Sequence, residues 1–195
     1  MKSALFVDFD GTLCHDKFWR SLEPALQEKI QEYLFGVDQE IVNDWMRGVY
    51  TSEDIHQKLV EDLKINYEFL WNIFVEDCRT MFVEKSVLGK IAKLRDRYIT
   101  VLITDNMDCF DRFTVPALGM DACFDYIVNS YNEKMSKNDN GGKLFLDISA
   151  RIGGMLPESI LIDNSPKTCE IFQKLGGRSF WVTAEKPLSL WLDLI

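Results

Sequence analysis

Short apolar segments recur along the chain at intervals, and they lack the alternation of a half-exposed strand. They are residues 4–7, 98–104, 124–130, 159–163 and 179–183. Such runs are typical of strands that are buried on both faces of a parallel sheet. Helical patterns separate the later runs, over residues 86–97, 107–118, 144–152 and 166–175. Strands that alternate with helices predict βαβ units, and thus an α/β protein whose ligands bind at the carboxyl ends of the strands.

Residues 17–83 interrupt this rhythm, because they contain helical patterns and no convincing strand. One of these patterns opens with Thr51 and has Asp54 three residues later, which is a capping-box signature. We therefore expect a block of helices inserted after the first strand. Farther along, residues 132–142 predict a polar loop, and residues 186–195 predict an amphipathic helix that closes on the sheet.

The composition narrows the classes of function. Of the 195 residues, 47% are hydrophobic, which suits a soluble domain without a membrane span. The net charge of −9 argues against a nucleic-acid partner, since binding to that backbone needs basic patches. The five cysteines form no CxxC pair, and no signal-peptide pattern opens the chain. We therefore expect reduced thiols and a cytoplasmic location.

Two aspartates end the first apolar run, in the stretch "ALFVDFDGT". Asp8 and Asp10 are two residues apart, so in an extended chain their side chains point to the same face. Two carboxylates so close repel each other, and a divalent cation such as Mg²⁺ would stabilise them. Gly11 would let the backbone turn sharply after them. The alternative is structural: Asp10 and Thr12 would cap the next helix, and Asp8 would pair with a lysine.

This stretch resembles the first motif of the haloacid dehalogenase-like (HAD) hydrolases, and three further motifs follow in order. "VLIT" ends in Thr104 and resembles the second motif. "ILIDN" ends in Asp163 and Asn164 and resembles the fourth. The third is a lysine upstream of the helix that precedes the fourth. Lys143 is our choice, and Lys137 is its rival.

The resemblance implies a three-layer, Rossmann-like α/β core with strand order 5-4-1-2-3. It assigns residues 1–14 and 84–195 to that core and residues 15–83 to an all-helical cap. It also implies a Mg²⁺-dependent phosphatase that hydrolyses a small phosphorylated metabolite through an aspartyl-phosphate intermediate. The oligomeric state does not follow from it.

The resemblance further implies roles for the acidic positions. Asp8 would be the nucleophile, and Asp10 would protonate the leaving oxygen and then take a proton from the attacking water. Asp8, the Asp10 carbonyl and Asp163 would hold Mg²⁺. Asn164 stands where the family commonly has a second acid. The amide would orient a metal-bound water, and Mg²⁺ binding would be weaker.

Phosphate binding would fall to the residues of the second and third motifs. The Thr104 hydroxyl would bond a phosphate oxygen, together with the backbone N–H groups of Asp105 and Asn106. Lys143, or Lys137 in its place, would offset the charge of the phosphate and the nucleophile. Asp105 is unexpected beside a phosphate, and either a salt bridge or a cationic substrate group would explain it.

Three other functions share these residues. A phosphotransferase or mutase would use the same site. A dehalogenase is disfavoured by Asp10, which enzymes of that kind normally lack. A catalytically weak or inactive binding protein is favoured by Asn164. Within the helical block most aromatic residues would form its own core, whereas Phe18, Trp19 and Arg20 follow the first motif closely and would face the site.

Overall fold

A five-stranded parallel sheet forms the centre of the protein. The computed structural model describes residues 2–36 and 39–195. The strands are β1 Ala4–Val7, β2 Ile99–Thr104, β3 Tyr126–Asn129, β4 Ile160–Asp163 and β5 Arg178–Trp181. They lie in the order β3-β2-β1-β4-β5, and all neighbouring pairs are parallel. Read from the opposite edge this is the order 5-4-1-2-3, so that prediction is confirmed.

The helices fall into two groups. The predicted helical block contains α1 Pro24–Phe35, α2 Glu40–Met46, α3 Ser52–Leu63 and α4 Tyr67–Arg79. The others accompany the sheet and are α5 Lys85–Leu94, α6 Val115–Leu118, α7 Ser130–Glu133, α8 Lys143–Arg151, α9 Pro166–Lys174 and α10 Leu188–Leu194. Within the described ranges, no helix has both the length and the apolar character that a membrane crossing requires.

The sheet separates two apolar cores. Leu5 and Val7 of β1 point into one core, and Ala4 and Phe6 point into the other, because successive strand residues face opposite sides. Side chains of α5 and α10 cover the first face, and side chains of α8 and α9 cover the second. The sheet is therefore the middle of three layers, which confirms the predicted α/β class and the closing role of the C-terminal helix.

The helix predicted over residues 107–118 is less regular than expected. Phe110–Thr114 form a π-helical turn, in which the Val115 N–H bonds the Phe110 carbonyl five residues earlier. Pro116 follows within α6 and has no N–H to donate to the turn before it. A proline at this position accounts for the change in hydrogen-bond pattern, because it removes one bond of the regular helix.

The predicted block of helices, residues 15–83, is called the helical insertion below. Its aromatic side chains, among them Trp45 and Phe74, form one buried cluster, as expected for most aromatics of this block. Trp19, which was expected to face the site, also belongs to this cluster. Met107 and Cys109, which follow β2, belong to the same cluster. The insertion and the sheet domain therefore share apolar contacts, and the division of the chain at residues 15 and 83 remains a prediction.

A buried carboxylate fastens the insertion to the end of β2. Asp108 is only 5% exposed, and its Oδ1 accepts hydrogen bonds from Trp45 Nε1 at 2.9 Å and from the Ser52 N–H and hydroxyl at 3.0 and 2.6 Å. Its Oδ2 accepts from Arg112 at 2.7 Å. Hydrogen-bond donors of the insertion thus pair with the Asp108 carboxylate, which follows β2. Because a buried charge needs such partners, these bonds allow Asp108 to be buried.

His56, in α3, is buried among aromatic rings of the insertion. Its ring lies 4.5 Å from that of Phe74 and 4.8 Å from that of Trp71, measured between centroids. Its Nδ1 is 2.7 Å from the Ser52 carbonyl oxygen, so Nδ1 carries the hydrogen. Burial lowers the pKa of His56 to about 4. The imidazole is therefore neutral in the folded protein at pH 7.

We predict that His56 makes the fold sensitive to acid. The unfolded chain binds this proton with an ordinary pKa of about 6.5, so it is protonated first as the pH falls. Stability that is present above pH 6.5 is then lost towards pH 4, by up to about 3 kcal/mol. The free energy of unfolding in urea, measured between these pH values, should fall more steeply for the wild type than for His56→Leu. The exposed His15 provides the control, and His15→Leu should keep the wild-type slope. Equal slopes for wild type and His56→Leu would contradict the prediction.

Candidate active site

The ends of three adjacent strands bring together predicted site residues that lie far apart in the sequence. Asp8 follows β1 directly, Thr104 ends β2 and Asp163 ends β4. β1 lies between the other two strands, and the Asp8 N–H bonds the Ile162 carbonyl at 3.0 Å. Because parallel strands end on the same edge of the sheet, the three side chains lie at one end of it.

Lys137 joins two of these strand ends. Its Nζ lies 2.6 Å from Asp8 Oδ1 and 2.8 Å from Asp163 Oδ2. All three residues are buried, with exposures of 5%, 3% and 0% for Lys137, Asp8 and Asp163. The rival of the predicted lysine is therefore the one that reaches the carboxylates.

Lys143, our choice from the sequence, lies on the surface of the protein. Lys143 is the first residue of α8, its side chain is 51% exposed, and it pairs with Asp147 one turn later. The structure does not bring it to the strand ends. Residues 132–142 account for the difference between the two lysines, because they fold through α7 and a turn over residues 139–141 that carry Lys137 inward.

Asp105 contacts the backbone of the Lys137 segment. Its Oδ1 accepts a hydrogen bond from the Lys137 N–H at 2.8 Å. The side chain predicted to lie near phosphate thus orders the segment that supplies the lysine. Burial raises the pKa of Asp105, and Lys137 opposes that rise.

Asp10 opens onto the cleft above the strand ends and is oriented by Asn106. Asn106 Nδ2 donates to Asp10 Oδ2 at 2.7 Å. The Asn106 N–H, predicted to bind phosphate, instead donates to the Ser130 hydroxyl at 3.0 Å. Asn106 therefore contacts the predicted acid through its side chain, and its backbone donor already has a partner.

Thr12 and Asn164 complete the lower part of the site. The Thr12 hydroxyl donates to Asp8 Oδ2 at 2.9 Å and accepts from the Asn164 N–H at 3.1 Å. The Asn164 side chain packs against Gly11, where a Cβ would lie 2.0 Å from Nδ2. In the described residues no hydrogen bond joins this amide to Asp8 or Asp163. From the sequence we expected only a capping role for Thr12. Its position in the motif "DFDGT" was the one feature of the sequence that could have identified it as a site residue.

The Thr104 hydroxyl is buried and makes no hydrogen bond of full geometric quality within residues 2–36 and 39–195, although it lies near enough to Asp10 to lower the pKa of that carboxyl. An unpaired buried hydroxyl costs about 1–3 kcal/mol. A ligand oxygen at this position would remove that cost, so the orphaned hydroxyl is consistent with the predicted phosphate contact.

The site carries more negative than positive charge. Burial raises the pKa of Asp8, and the ammonium of Lys137 only partly counters it. The surrounding protein, and then the charge of Asp8, raise the pKa of Asp10 to about 7, although its side chain reaches water at the cleft. Burial lowers the pKa of Lys137, but Asp8 and Asp163 outweigh this effect and keep the lysine charged.

These residues fit the Mg²⁺ that the resemblance implies. The candidate ligands are the carboxylates of Asp8 and Asp163 and the carbonyl of Asp10, all of them hard oxygen donors. Across the described ranges, no three acidic, histidine or cysteine side chains converge on one metal position. The set of two carboxylates and a backbone oxygen does not need a third such side chain, and the excess negative charge favours a divalent cation.

A cleft of ≈ 530 Å³ lies between the strand ends and the helical insertion. Asp10, Asp105 and Asn106 line its sheet side. The insertion contributes mainly apolar side chains, including Phe18, Trp19, Phe35, Val42 and Met46. Phe18 and Trp19 thus border the cleft, although Trp19 is only 1% exposed. A larger cavity of ≈ 780 Å³ lies beside Gly11 and Asn164. Asp10 lines only the smaller cleft, and Asp8 lines neither.

Arg20, the third insertion residue expected to face the site, lies elsewhere. Its guanidinium donates to the Asp77 carbonyl at 2.7 Å and to the Thr80 hydroxyl at 2.8 Å, at the end of α4. These contacts hold the start of the insertion to its last helix.

Among the comparisons with known proteins, only the comparison with solved structures found similar proteins. No family model matches the sequence, and no curated protein matches it. Among solved structures, a HAD family enzyme from Bacteroides thetaiotaomicron, an aspartate-to-alanine mutant in complex with magnesium and inorganic phosphate, is 20% identical with a TM-score of 0.77. The alignment covers 97% of this chain and 98% of that one.

Two further structures are similar. A predicted HAD-like family hydrolase from Porphyromonas gingivalis is 18% identical with a TM-score of 0.71, over 93% of this chain and 91% of that one. L-2-haloacid dehalogenase from Xanthobacter autotrophicus is 13% identical with a TM-score of 0.65, over 95% and 80%. Together with the strand order, these similarities show that the chain has the haloacid dehalogenase-like fold.

Proposed function

We propose that this protein is a Mg²⁺-dependent phosphatase that hydrolyses a small phosphomonoester through an aspartyl-phosphate on Asp8. One observation carries the proposal: the Lys137 ammonium bonds both Asp8 and Asp163 at the strand ends, and Asp10, two residues after Asp8, lines the cleft between the strand ends and the insertion. The orphaned Thr104 hydroxyl adds support. So does the similar HAD family enzyme, which was crystallised with magnesium and inorganic phosphate.

In this proposal Asp8 attacks phosphorus in line with the leaving oxygen. Asp10 gives its proton to that oxygen, and the bond from Asn106 holds it in place. A pKa raised to about 7 lets Asp10 carry the proton that the leaving oxygen needs at neutral pH. In the second step Asp10 takes a proton from the water that attacks the phosphorus, and Asp8 is released as a carboxylate.

The remaining groups bind and orient the phosphate. The Thr104 hydroxyl donates to one phosphate oxygen, and Lys137 keeps Asp8 and the phosphate from repelling each other. Asp8, Asp163 and the Asp10 carbonyl would hold Mg²⁺, which supplies positive charge next to the phosphate oxygens. Positioning and charge thus compensate for the weak nucleophilicity of a carboxylate.

A catalytically weak binding protein is the second candidate, and Asn164 is the observation that favours it. An acid at this position would add a negative charge beside the metal ligands. Its absence lowers the expected affinity for Mg²⁺, and the amide packs against Gly11. A binding protein would hold the phosphorylated molecule without releasing phosphate.

Hydrolysis of p-nitrophenyl phosphate with Mg²⁺ tests the proposal. Asp8→Asn should lower the rate at least about a hundredfold, since it removes the nucleophile. Asp10→Asn should still be phosphorylated, because p-nitrophenolate leaves without a proton, and it should then hydrolyse slowly. Intact-protein mass spectrometry should show one added phosphoryl group in that variant. The exposed Asp121→Asn is the matched control. A wild type that releases no phosphate from a broad panel of phosphomonoesters would refute the enzyme.

Lys137→Met and Lys143→Met separate the two lysines. Lys137→Met should reduce kcat by about a hundredfold or more, because Asp8 and the phosphate lose their nearest positive charge. Lys143→Met should stay within about twofold of the wild type, since only a surface pair is lost. Steady-state kinetics on both variants measures this. The reverse order of effects would restore Lys143 as the functional lysine.

Thermal unfolding tests the metal without relying on turnover. If Mg²⁺ binds only the folded protein, a concentration of one hundred times its Kd stabilises the protein by about 2.7 kcal/mol and raises its Tm. Asp163→Asn should lose most of this Mg²⁺-dependent shift. Asp147→Asn, which lies on α8, should keep it. A shift of equal size in Asp163→Asn would exclude that carboxylate as a ligand.

A further inference from the structure

The segment that carries Lys137 is held by the sheet domain and by the helical insertion together. On the sheet side the Lys137 N–H donates to Asp105 at 2.8 Å. On the other side the contacts come from residues 46–48, which comprise the last residue of α2 and the two residues after it. The position of the lysine therefore depends on both parts of the molecule.

Arg47 makes the most directional of the insertion contacts. Its Nε donates to Asp139 Oδ2 at 3.1 Å, and its Nη2 donates to Asp139 Oδ1 at 2.9 Å. A planar guanidinium that bonds both oxygens fixes orientation as well as distance, which a lysine ammonium does not. About a third of each side chain is exposed, so the pair is only partly screened by water.

Asp139 shapes the backbone on both sides of Lys137. Its Oδ2 also accepts a hydrogen bond from the Ser136 N–H at 2.9 Å, and its own N–H donates to the Ser136 carbonyl at 3.1 Å. Lys137 lies inside this turn. A change at Asp139 therefore changes the path along which the lysine side chain leaves the segment.

Two further contacts bring the insertion and this segment close. The Ser130 hydroxyl donates to the Met46 carbonyl at 2.7 Å, and the Lys134 ammonium donates to the Gly48 carbonyl at 3.2 Å. A Cβ on Gly48 would lie 2.7 Å from the Tyr131 backbone carbonyl oxygen, and Gly48 has a φ of +68°, so glycine suits this close approach. The contacts at residues 46–48 form a continuous junction.

The helix that ends at this junction also lines the cleft. Val42, Asn43 and Met46 of α2 face the space above the strand ends. The same short helix thus contacts both the cleft and the segment that carries Lys137.

We propose that Arg47 is a positioning residue, which holds Lys137 between Asp8 and Asp163 by binding Asp139. This inference rests on the proposed function, because its kinetic consequence requires turnover. Arg47 lies on the insertion and touches none of the reacting atoms in the mechanism above. Its effect is therefore expected in kcat, where Lys137 acts, and to a lesser degree in KM.

Kinetics with p-nitrophenyl phosphate tests the inference. Arg47→Met should lower kcat about three- to tenfold, as small displacements of catalytic groups do, with KM within about twofold. Asp139→Asn should have a similar effect, and the double variant should be no worse than either single one. Arg47→Lys should recover only part of the rate. Arg95→Met is the control, because two nitrogens of the Arg95 guanidinium contact one oxygen of Asp125 away from the cleft, and it should keep the wild-type kcat.

Two backgrounds show whether Arg47 acts through the lysine. In Lys137→Met, adding Arg47→Met should change kcat by less than about twofold. In Thr104→Val, the same addition should lower kcat by its full factor. An equal loss in both backgrounds would overturn the inference, as would a wild-type kcat in Arg47→Met.

Hydrogen exchange separates failure of this inference from failure of the proposed function. In Arg47→Met the amides of residues 130–142 should exchange faster than in the wild type, whereas those of β3 should not change. This result does not depend on turnover. If the wild type hydrolyses no phosphomonoester, the proposed function fails. Unchanged exchange over residues 130–142 would overturn the inference in either case.

Discussion

A lysine ammonium is buried between two carboxylates at the ends of β1 and β4, and the rest of the site depends on it. Burying an unpaired ion costs several kcal/mol, so Lys137, Asp8 and Asp163 are tolerable inside the protein only together. Removing the ammonium would leave two like charges side by side at the strand ends. The polar segment of residues 130–142 must consequently be ordered, and Asp105 and Asp139 bond its backbone N–H groups.

Much of this arrangement could be predicted from the sequence because it follows from strand ends. The apolar runs located the strands, and the order of the motifs placed Asp8, Thr104 and Asp163 at one edge of the sheet. The lysine could not be chosen in the same way. Its reach depends on the turn built around Asp139, whose register no periodicity reveals. The start of a helix made Lys143 attractive, but that position faces solvent.

The polar groups of the site differ in whether the protein itself satisfies them. The Asp105 carboxylate and the Asn106 N–H have hydrogen-bond partners within the chain, and the sequence motifs could not predict those partners. The Thr104 hydroxyl has no partner of full hydrogen-bond geometry in the described part of the chain, and Asp10 faces the cleft. Unsatisfied groups of this kind distinguish the surface that meets a ligand from the scaffold that supports it.

The attachment of the helical insertion has a consequence for how molecules enter and leave. A rigid-body swing of the insertion would strip Asp108 of the donors on Trp45 and Ser52, and it would expose Met107 and Cys109 to water. Such a motion would cost free energy twice, because a buried carboxylate would lose its hydrogen-bond donors and apolar side chains would be exposed to water. We therefore expect small molecules to enter and leave through the existing opening of the cleft, when exposed side chains such as Lys17 and Phe35 rotate. Selectivity among ligands would then depend on their shape and on the hydration water that they lose at the entrance of the cleft.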